Sequence, residues 1–363
     1  FKKALWDVPW YGWRGQVTGY RLQVTGYDLV HFPHWNVPLL FCRPFIVTIH
    51  DLELFSSHRT RENTTRDRFT YWLKHLAFRL VFRHAVLAAR AIIVPSNFVR
   101  EQLLDKYPQV RQKVQVIYEA PTIEVSGVRC QVSELKPITY NLKPQRYALY
   151  VGSAYPHKNL PRLLEAWQIV HKELPDYKLV LVGKEDWFWK KLKNNFRHSE
   201  PTHQSTSSVR GRLREESRAD ERPTSVGDPS SSRGRGTPQD DTFGVIFHGP
   251  ATDDELAALY KNAALLVQPS LEEGFSLPPL EALAHDCPVA VSDIPVHHEI
   301  LQNAALYFDP QSAPAMSAAI KDALLNQAKR SRTLDQAKLI LPRFSWQKHA
   351  LQTRQLYESS IKV

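Results

Sequence analysis

Two carboxylates carry the chemistry that this 363-residue chain could do. Glu273 and Glu281 stand eight positions apart, and Gly274-Phe275-Ser276-Leu277-Pro278-Pro279 lies between them. A carboxylate accepts two hydrogen bonds at once, which suits the vicinal diol of a ribose or a sugar. A bare glycine lets a ligand approach the backbone. A helix that opens at Pro278 or Pro279 adds unpaired N–H groups and partial positive charge, suited to a phosphate. Phosphate, ribose and sugar together make a nucleotide-sugar. The same spacing also fits an acidic loop that only caps a helix, and spacing alone does not choose between them.

The flanking segments say how such residues are positioned. Residues 264–267 and 288–291 are short apolar runs of the kind that fill buried parallel strands, and 280–285 is helical in composition. Strand, turn, helix, strand places both acids beyond a strand's carboxyl end, where open parallel sheets bind ligands. The rhythm recurs, with strands expected at 29–32, 44–49, 91–95, 114–118, 147–152, 178–183, 245–247 and 305–308. Helices are expected at 69–90, from Ser96 as N-cap to 106, and at 160–174, 313–327 and 344–361. Thr252-Asp253-Asp254-Glu255 spells a capping box. In the 69–90 helix, Trp72, Leu73, Leu76, Leu80 and Leu87 keep a 3.6 period and read as a core face. Lys74, His75, Arg79 and Arg83 read as a solvated basic edge or as a contact for membrane or lipid phosphate.

The length suggests two domains. The net charge of +10 lies almost wholly in residues 1–145. Basic surfaces attract nucleic acid, anionic membrane or phosphorylated substrates, and charge does not decide among them. Cys42, Cys130 and Cys287 form no C-x-x-C pair and leave an odd count, which argues against a disulfide framework or zinc site and for a reducing compartment. With no signal peptide and no apolar run near the ~20 residues of a membrane span, a cytoplasmic location is expected. Residues 197–241 hold almost no large apolar side chain, so a disordered surface insert is expected there. Their eight arginines are balanced by eight acids, so no nucleic-acid partner is expected despite three Arg-Gly steps.

Residues 273–282 resemble the E-x7-E signature of retaining family 4 glycosyltransferases with the GT-B fold, and 288–299 resemble the strand and loop that follow it. The sequence VTIHDL resembles the family's catalytic-histidine strand and places His50 at that position. Gly152 to Asn159 resembles the family's G-x-x-x-P-R-K-N motif, with His157 where arginine is usual and Lys158 matching the lysine. The resemblance covers most of the chain from Asp28 onward.

It implies an α/β protein of two Rossmann-like domains facing across a cleft. These would be 1–145 on the acceptor side, 146–341 for the nucleotide-sugar with its insert 197–241, and a helix at 342–363 packing back across both. No strand with a glycine-rich turn precedes Asp28, so a fragment or a form without the first βα unit is expected. The resemblance implies His50, Lys158 and Glu273 as catalytic residues. It implies Gly152, His157, Lys158, Gly274, Phe275, Ser276, Leu277 and Glu281 as donor-binding residues, with Glu281 on the ribose diol. No metal or resident cofactor is implied, since Lys158 and a helix dipole would meet the diphosphate. The donor suggested is GDP-mannose and the acceptor a glycan or lipid-linked sugar, with peripheral membrane contact through the basic first half. A protein of this fold that binds nucleotide or anions without turnover is the second reading.

Overall fold

A computed structural model describes residues 16–17, 20–21, 27–52, 55, 68–121, 142–198 and 242–361. Two parallel sheets organise them. The first has four strands in sequential order: β1 (Val30–Phe32), β2 (Phe45–Thr48), β3 (Ala91–Val94) and β4 (Val114–Val116). Helix α1 (Arg68–Ala88) crosses from β2 to β3, and α2 (Asn97–Lys106) from β3 to β4.

The second sheet has six parallel strands: β5 (Tyr147–Val151), β6 (Lys178–Val182), β7 (Val245–Gly249), β8 (Leu265–Gln268), β9 (Val289–Ser292) and β10 (Leu306–Phe308). Their spatial order is β7-β6-β5-β8-β9-β10. The direction of winding therefore reverses between β5 and β8, and the ends of such strands form a crevice. Helices α3 (Leu160–Glu173), α4 (Trp187–His198), α5 (Asp253–Asn262), α6 (Leu277–Ala284) and α7 (Pro295–Leu301) are the crossovers. Helices α8 (Ala313–Leu325), α9 (Gln327–Ile340) and α10 (Trp346–Ile361) complete the chain.

The strands are apolar because helices cover both faces. All four residues of β8 and of β9 are buried. On one face, Leu160, Leu163, Leu164, Trp167 and Val170 of α3 sink between Trp189 of α4 and Met316 and Ile320 of α8. On the other pack Leu259 of α5, Leu280 and Leu283 of α6, Ile300 of α7 and Ile340 of α9. The capping box forms: Glu255 N donates to Thr252 Oγ1 at 3.3 Å, and Thr252 N donates to Glu255 Oε2 at 2.9 Å.

Helix α10 returns to the first sheet. Its Leu356 and Tyr357 pack on Ile46, Ala91, Ile93 and Ile117, and Tyr357 Oη meets His31 Nδ1 at 2.6 Å. Arg90 donates to the carbonyl of Ser360. At the junction of the domains the rings of Tyr118, Phe275 and Phe344 lie 5.6–6.1 Å apart.

Two kinds of expectation need correction. Helices α4, α7 and α9 had no counterpart in the sequence reading, which took 288–299 as a strand and loop. Trp189, Leu192 and Phe196 supply the apolar side of α4, but three closely set lysines mask its period. The larger correction concerns α1. Phe78, Val81, Phe82, Ala85 and Val86 are its buried side chains, while Trp72, Leu73, Leu76 and Leu80 are 60%, 52%, 43% and 54% exposed. The helix is apolar on two faces, and a period does not say which face packs. Trp35 and Phe55, packed edge-on or tilted against Phe78 and Phe82, select the inner one. The expectations for residues 1–15 and 199–241 lie outside the described residues.

Trp167 is among the largest fully buried side chains, and its Nε1 donates to Phe243 O at 3.2 Å. Trp167→Ala is expected to lower unfolding free energy by roughly 3–5 kcal/mol. Urea denaturation of the whole chain measures it.

Candidate functional site

The β5–α3 and β8–α6 loops meet at the reversal between β5 and β8. Gly152 ends β5 with φ +153°, a conformation that side chains rarely adopt. A 3-10 turn at Pro156–Lys158 follows, then Asn159 in the left-handed region at φ 59°. Asn159 does not cap α3 with its side chain. Its Nδ2 donates instead to Pro269 O at 3.1 Å and Pro310 O at 2.7 Å. Leu271 N donates to His157 O at 2.8 Å. These bonds stitch the two loops together.

Stitching brings Lys158 Nζ to 2.7 Å from Glu273 Oε1. Ser270 Oγ, at 2.7 Å, and Gln268 Nε2, at 3.0 Å, donate to the same oxygen. The Glu273 side chain is only 9% exposed. Burial by itself would raise its pKa, but the Lys158 charge and the bonds from Lys158 and Ser270 outweigh it and hold the carboxyl near 2.

Behind the pair lies His297, fully buried on α7. Its Nδ1 is 2.8 Å from Ser292 O, which can only accept, so Nδ1 carries the proton. Burial pushes its pKa down to about 4, so the ring is neutral. Nε2 therefore accepts from Ser276 Oγ at 3.1 Å. Ser276 is the N-cap of α6 at φ 74°, and Leu277 is the first residue of that helix. Pro278 and Pro279 have no N–H, so the open end of α6 offers its donors through Ser276 and Leu277.

The first domain closes the site. A Cβ on Gly274 would lie 2.1 Å from His50 O, so only glycine allows this approach. Ser96 Oγ donates to Gly274 O at 2.7 Å. A small cavity of about 90 Å³ lies between Asp51, Leu52 and Gln102 on one side and His157, Lys158, Glu272 and Glu273 on the other. Among the described residues, no group of three or more His, Cys, Asp or Glu is placed to hold a metal ion.

This arrangement can be set beside known proteins. The family model "Glycosyl transferases group 1" matches residues 133–205 and 243–339, and "Glycosyltransferase Family 4" matches 4–120. Together the two matches span most of the chain and mark it as a glycosyltransferase similar to family 4. It is 27% identical over 295 residues to the O-antigen chain mannosyltransferase RfbU of Salmonella typhimurium, covering 81% of this chain and 64% of that protein. It is 28% identical over 344 residues to O-antigen chain mannosyltransferase B of Escherichia coli, covering 91% of this chain and 74% of that one. Sucrose-phosphate synthase from Thermosynechococcus elongatus superposes with a TM-score of 0.59 at 20% identity, over 92% of this chain and 74% of that one. Anabaena HepE in complex with UDP and glucose superposes with 0.61 at 16%, over 92% and 78%. The fold is GT-B, two α/β domains each built on a parallel sheet.

In this glycosyltransferase the structure gathers Gly152, His157, Lys158, Glu273, Gly274, Phe275, Ser276 and Leu277 around the two loops. Phe275 is buried and faces the domain junction. Glu281 lies further along α6, where its Oε2 accepts from Tyr260 Oη at 2.9 Å. His50 reaches the site through its backbone, and its ring faces its own domain. Nδ1 is 2.8 Å from Glu119 Oε1, and Nε2 is 3.1 Å from Pro33 O. Glu119, Gln268, Ser270 and His297 escaped the sequence reading. Glu119 had a signal, since it follows β4 at the same end of the sheet as His50. The other three have none that one sequence exposes.

Both partners of the His50 ring accept, so each nitrogen donates when both bonds form, and the ring is then cationic. The hydrogen bond to Glu119 is the main cause of its raised pKa, against the opposing effect of burial. The pair's contribution to stability is therefore full below the ordinary histidine value of about 6.5 and lost as pH rises through the higher folded value. Glu119→Gln is expected to move the His50 titration to lower pH. Proton NMR of the ring Cε1–H measures the shift.

Proposed function

We propose that the chain transfers mannose from GDP-mannose to a hydroxyl of a glycan or lipid-linked acceptor, with retention and without a metal ion. The observation that carries this reading is the Lys158–Glu273 pair at the end of β5 and β8, closed over by His50 and Gly274. Its arrangement supplies what such a donor needs. Lys158 carries further N–H donors for a diphosphate, next to the open end of α6. All three protein bonds to Glu273 end on Oε1, which leaves Oε2 for a sugar hydroxyl. Glu281 would take the ribose diol, with Tyr260 orienting its carboxylate. The donor sugar comes from the O-antigen relatives, which are named mannosyltransferases.

In the proposed step the bond from the anomeric carbon to the phosphate oxygen breaks. The acceptor oxygen bonds that carbon on the same face, and its proton passes to the departing phosphate oxygen. Positive charge from Lys158 stabilises the leaving diphosphate as charge develops. No protein nucleophile is needed. His50 would approach the donor sugar from the first domain once its ring turns from Pro33.

The partner at the acceptor side follows from α1. Trp72, Leu73, Leu76 and Leu80 are exposed beside the exposed Arg79 and Arg83. An apolar strip flanked by cations matches the interface of an anionic bilayer. Among the described residues no helix is long and apolar enough to cross a membrane, so the contact proposed is peripheral. A binding-only protein of this fold remains the alternative outcome.

Glu281→Ala is expected to weaken GDP binding by about 1.5–3 kcal/mol. Calorimetry with GDP and UDP measures it, and unchanged affinity for both removes Glu281 from the site. His50→Ala is expected to abolish GDP release from GDP-mannose in the presence of methyl α-mannoside, with GDP affinity within a few-fold. A wild-type chain that binds GDP and turns over neither GDP-mannose nor UDP-glucose favours the binding-only reading. Sedimentation with vesicles is expected to retain the chain on phosphatidylglycerol and not on phosphatidylcholine. Trp72→Ser with Leu76→Ser should release it.

A further inference from the structure

The first turn of a helix leaves its N–H groups without partners inside the helix. In α2 these groups are answered largely from the other domain. Glu299, half-buried on α7, reaches across the junction. Its Oε1 accepts from Asn97 N at 2.7 Å and from Asn97 Nδ2 at 3.0 Å, and its Oε2 accepts from Phe98 N at 2.9 Å. Tyr118 Oη also donates to Oε1 at 3.0 Å. The N-cap of α2, Ser96, takes the next N–H, that of Val99, at 3.2 Å. The hydroxyl proton of Ser96 goes to Gly274 O.

So one helix end receives two things from the opposite domain: a carboxylate and the carbonyl of the residue beside Glu273. The carboxylate also meets the positive end of the helix dipole, and charge-assisted bonds of this kind are the strong ones. Glu299 is itself held firmly. Two residues before it, His297 is locked between Ser292 O and Ser276 Oγ, and Ser276 caps α6. Both anchoring points of α2 are therefore tied to the turn that carries Glu273 and Gly274. His50 lies against that same turn.

We propose that Glu299 is a positioning residue for sugar transfer: by capping α2 of the opposite domain it latches the closed cleft in which His50 meets the Glu273–Gly274 turn. The proposal rests on the transferase reading above. Glu299 touches neither Lys158 nor Glu281, so losing it should spare nucleotide binding and reduce turnover.

Two variants act on opposite sides of the latch. Glu299→Gln keeps the shape but loses the charge, and its amide nitrogen faces a donor. Asn97→Pro removes the backbone donor and Nδ2 together. Proline is tolerated at the first position of a helix, and Ser96 before it already has the extended φ −151°, ψ 160° that a following proline requires. Each variant is expected to lower kcat for GDP release from GDP-mannose with methyl α-mannoside by about tenfold or more, as lost charge-assisted bonds imply. GDP affinity should stay within about threefold, a difference below one tenfold step of 1.4 kcal/mol. The double variant should fall by less than the two single losses added together, because both act on the same contact. Small-angle scattering should show a larger radius of gyration for both.

Wild-type kcat and scattering in Glu299→Gln overturn the latch, as does full additivity in the double variant. A parallel loss of GDP affinity makes Glu299 part of the nucleotide site and also overturns it. If the wild-type chain transfers nothing, the transferase reading fails alone, and the scattering comparison still decides whether Glu299 holds the domains closed.

Discussion

A carboxylate inside a protein keeps its charge only where the protein answers it. Glu273 is answered by a lysine, a serine and a glutamine on one oxygen, and this need shapes what surrounds it. Lys158 comes from a different loop, so that loop must be pinned, and Asn159 and Leu271 pin it. The turn after Glu273 must hold still, and Ser276 gives it a hydrogen bond to a neutral His297. A charged imidazole in that place would compete with Lys158 for the same carboxylate. Burial prevents it, by keeping His297 neutral down to about pH 4.

The wall supplied by the first domain shows how one residue type divides by surroundings. His31 lies within β1, and His34 and His50 follow the ends of β1 and β2. Burial lowers the pKa of His31, with help from His349 and His50, and it lowers that of His34 in the same way. His50 moves in the other direction, chiefly through its hydrogen bond to Glu119. Of the three rings, the one held on Glu119 therefore keeps its proton to the highest pH. A side chain with an ordinary pKa near 6.5 is unusually responsive to such differences.

The alternation of strands and helices was legible because buried parallel strands are short unbroken apolar runs, such as Leu265-Leu266-Val267. The acids and the glycine of the central turn were legible because ligand chemistry restricts residue type at strand ends. What stayed hidden depends on partners distant in the chain. Gln268 and Ser270 become part of the site only when Lys158 arrives from more than a hundred residues away. The outer face of α1 was misread because Leu76 and Leu80 are as periodic as Phe78 and Phe82, and only Trp35 and Phe55 say which side is covered. Asn159 joins the site in the same way, by giving its side chain to two carbonyls of other loops.

The returning C-terminal helix has a mechanical consequence. The chain passes between the two domains twice, once on its way from β4 to β5 and once just before α10. The rings of Tyr118 and Phe344, which flank these passages, stand 5.6 Å apart. Two tethers fastened side by side resist sliding and twisting but leave a swing about the point where they meet. Phe275 is the third ring at that pivot, one residue from Gly274 and two from Glu273. The central turn thus sits at the fulcrum of the swing.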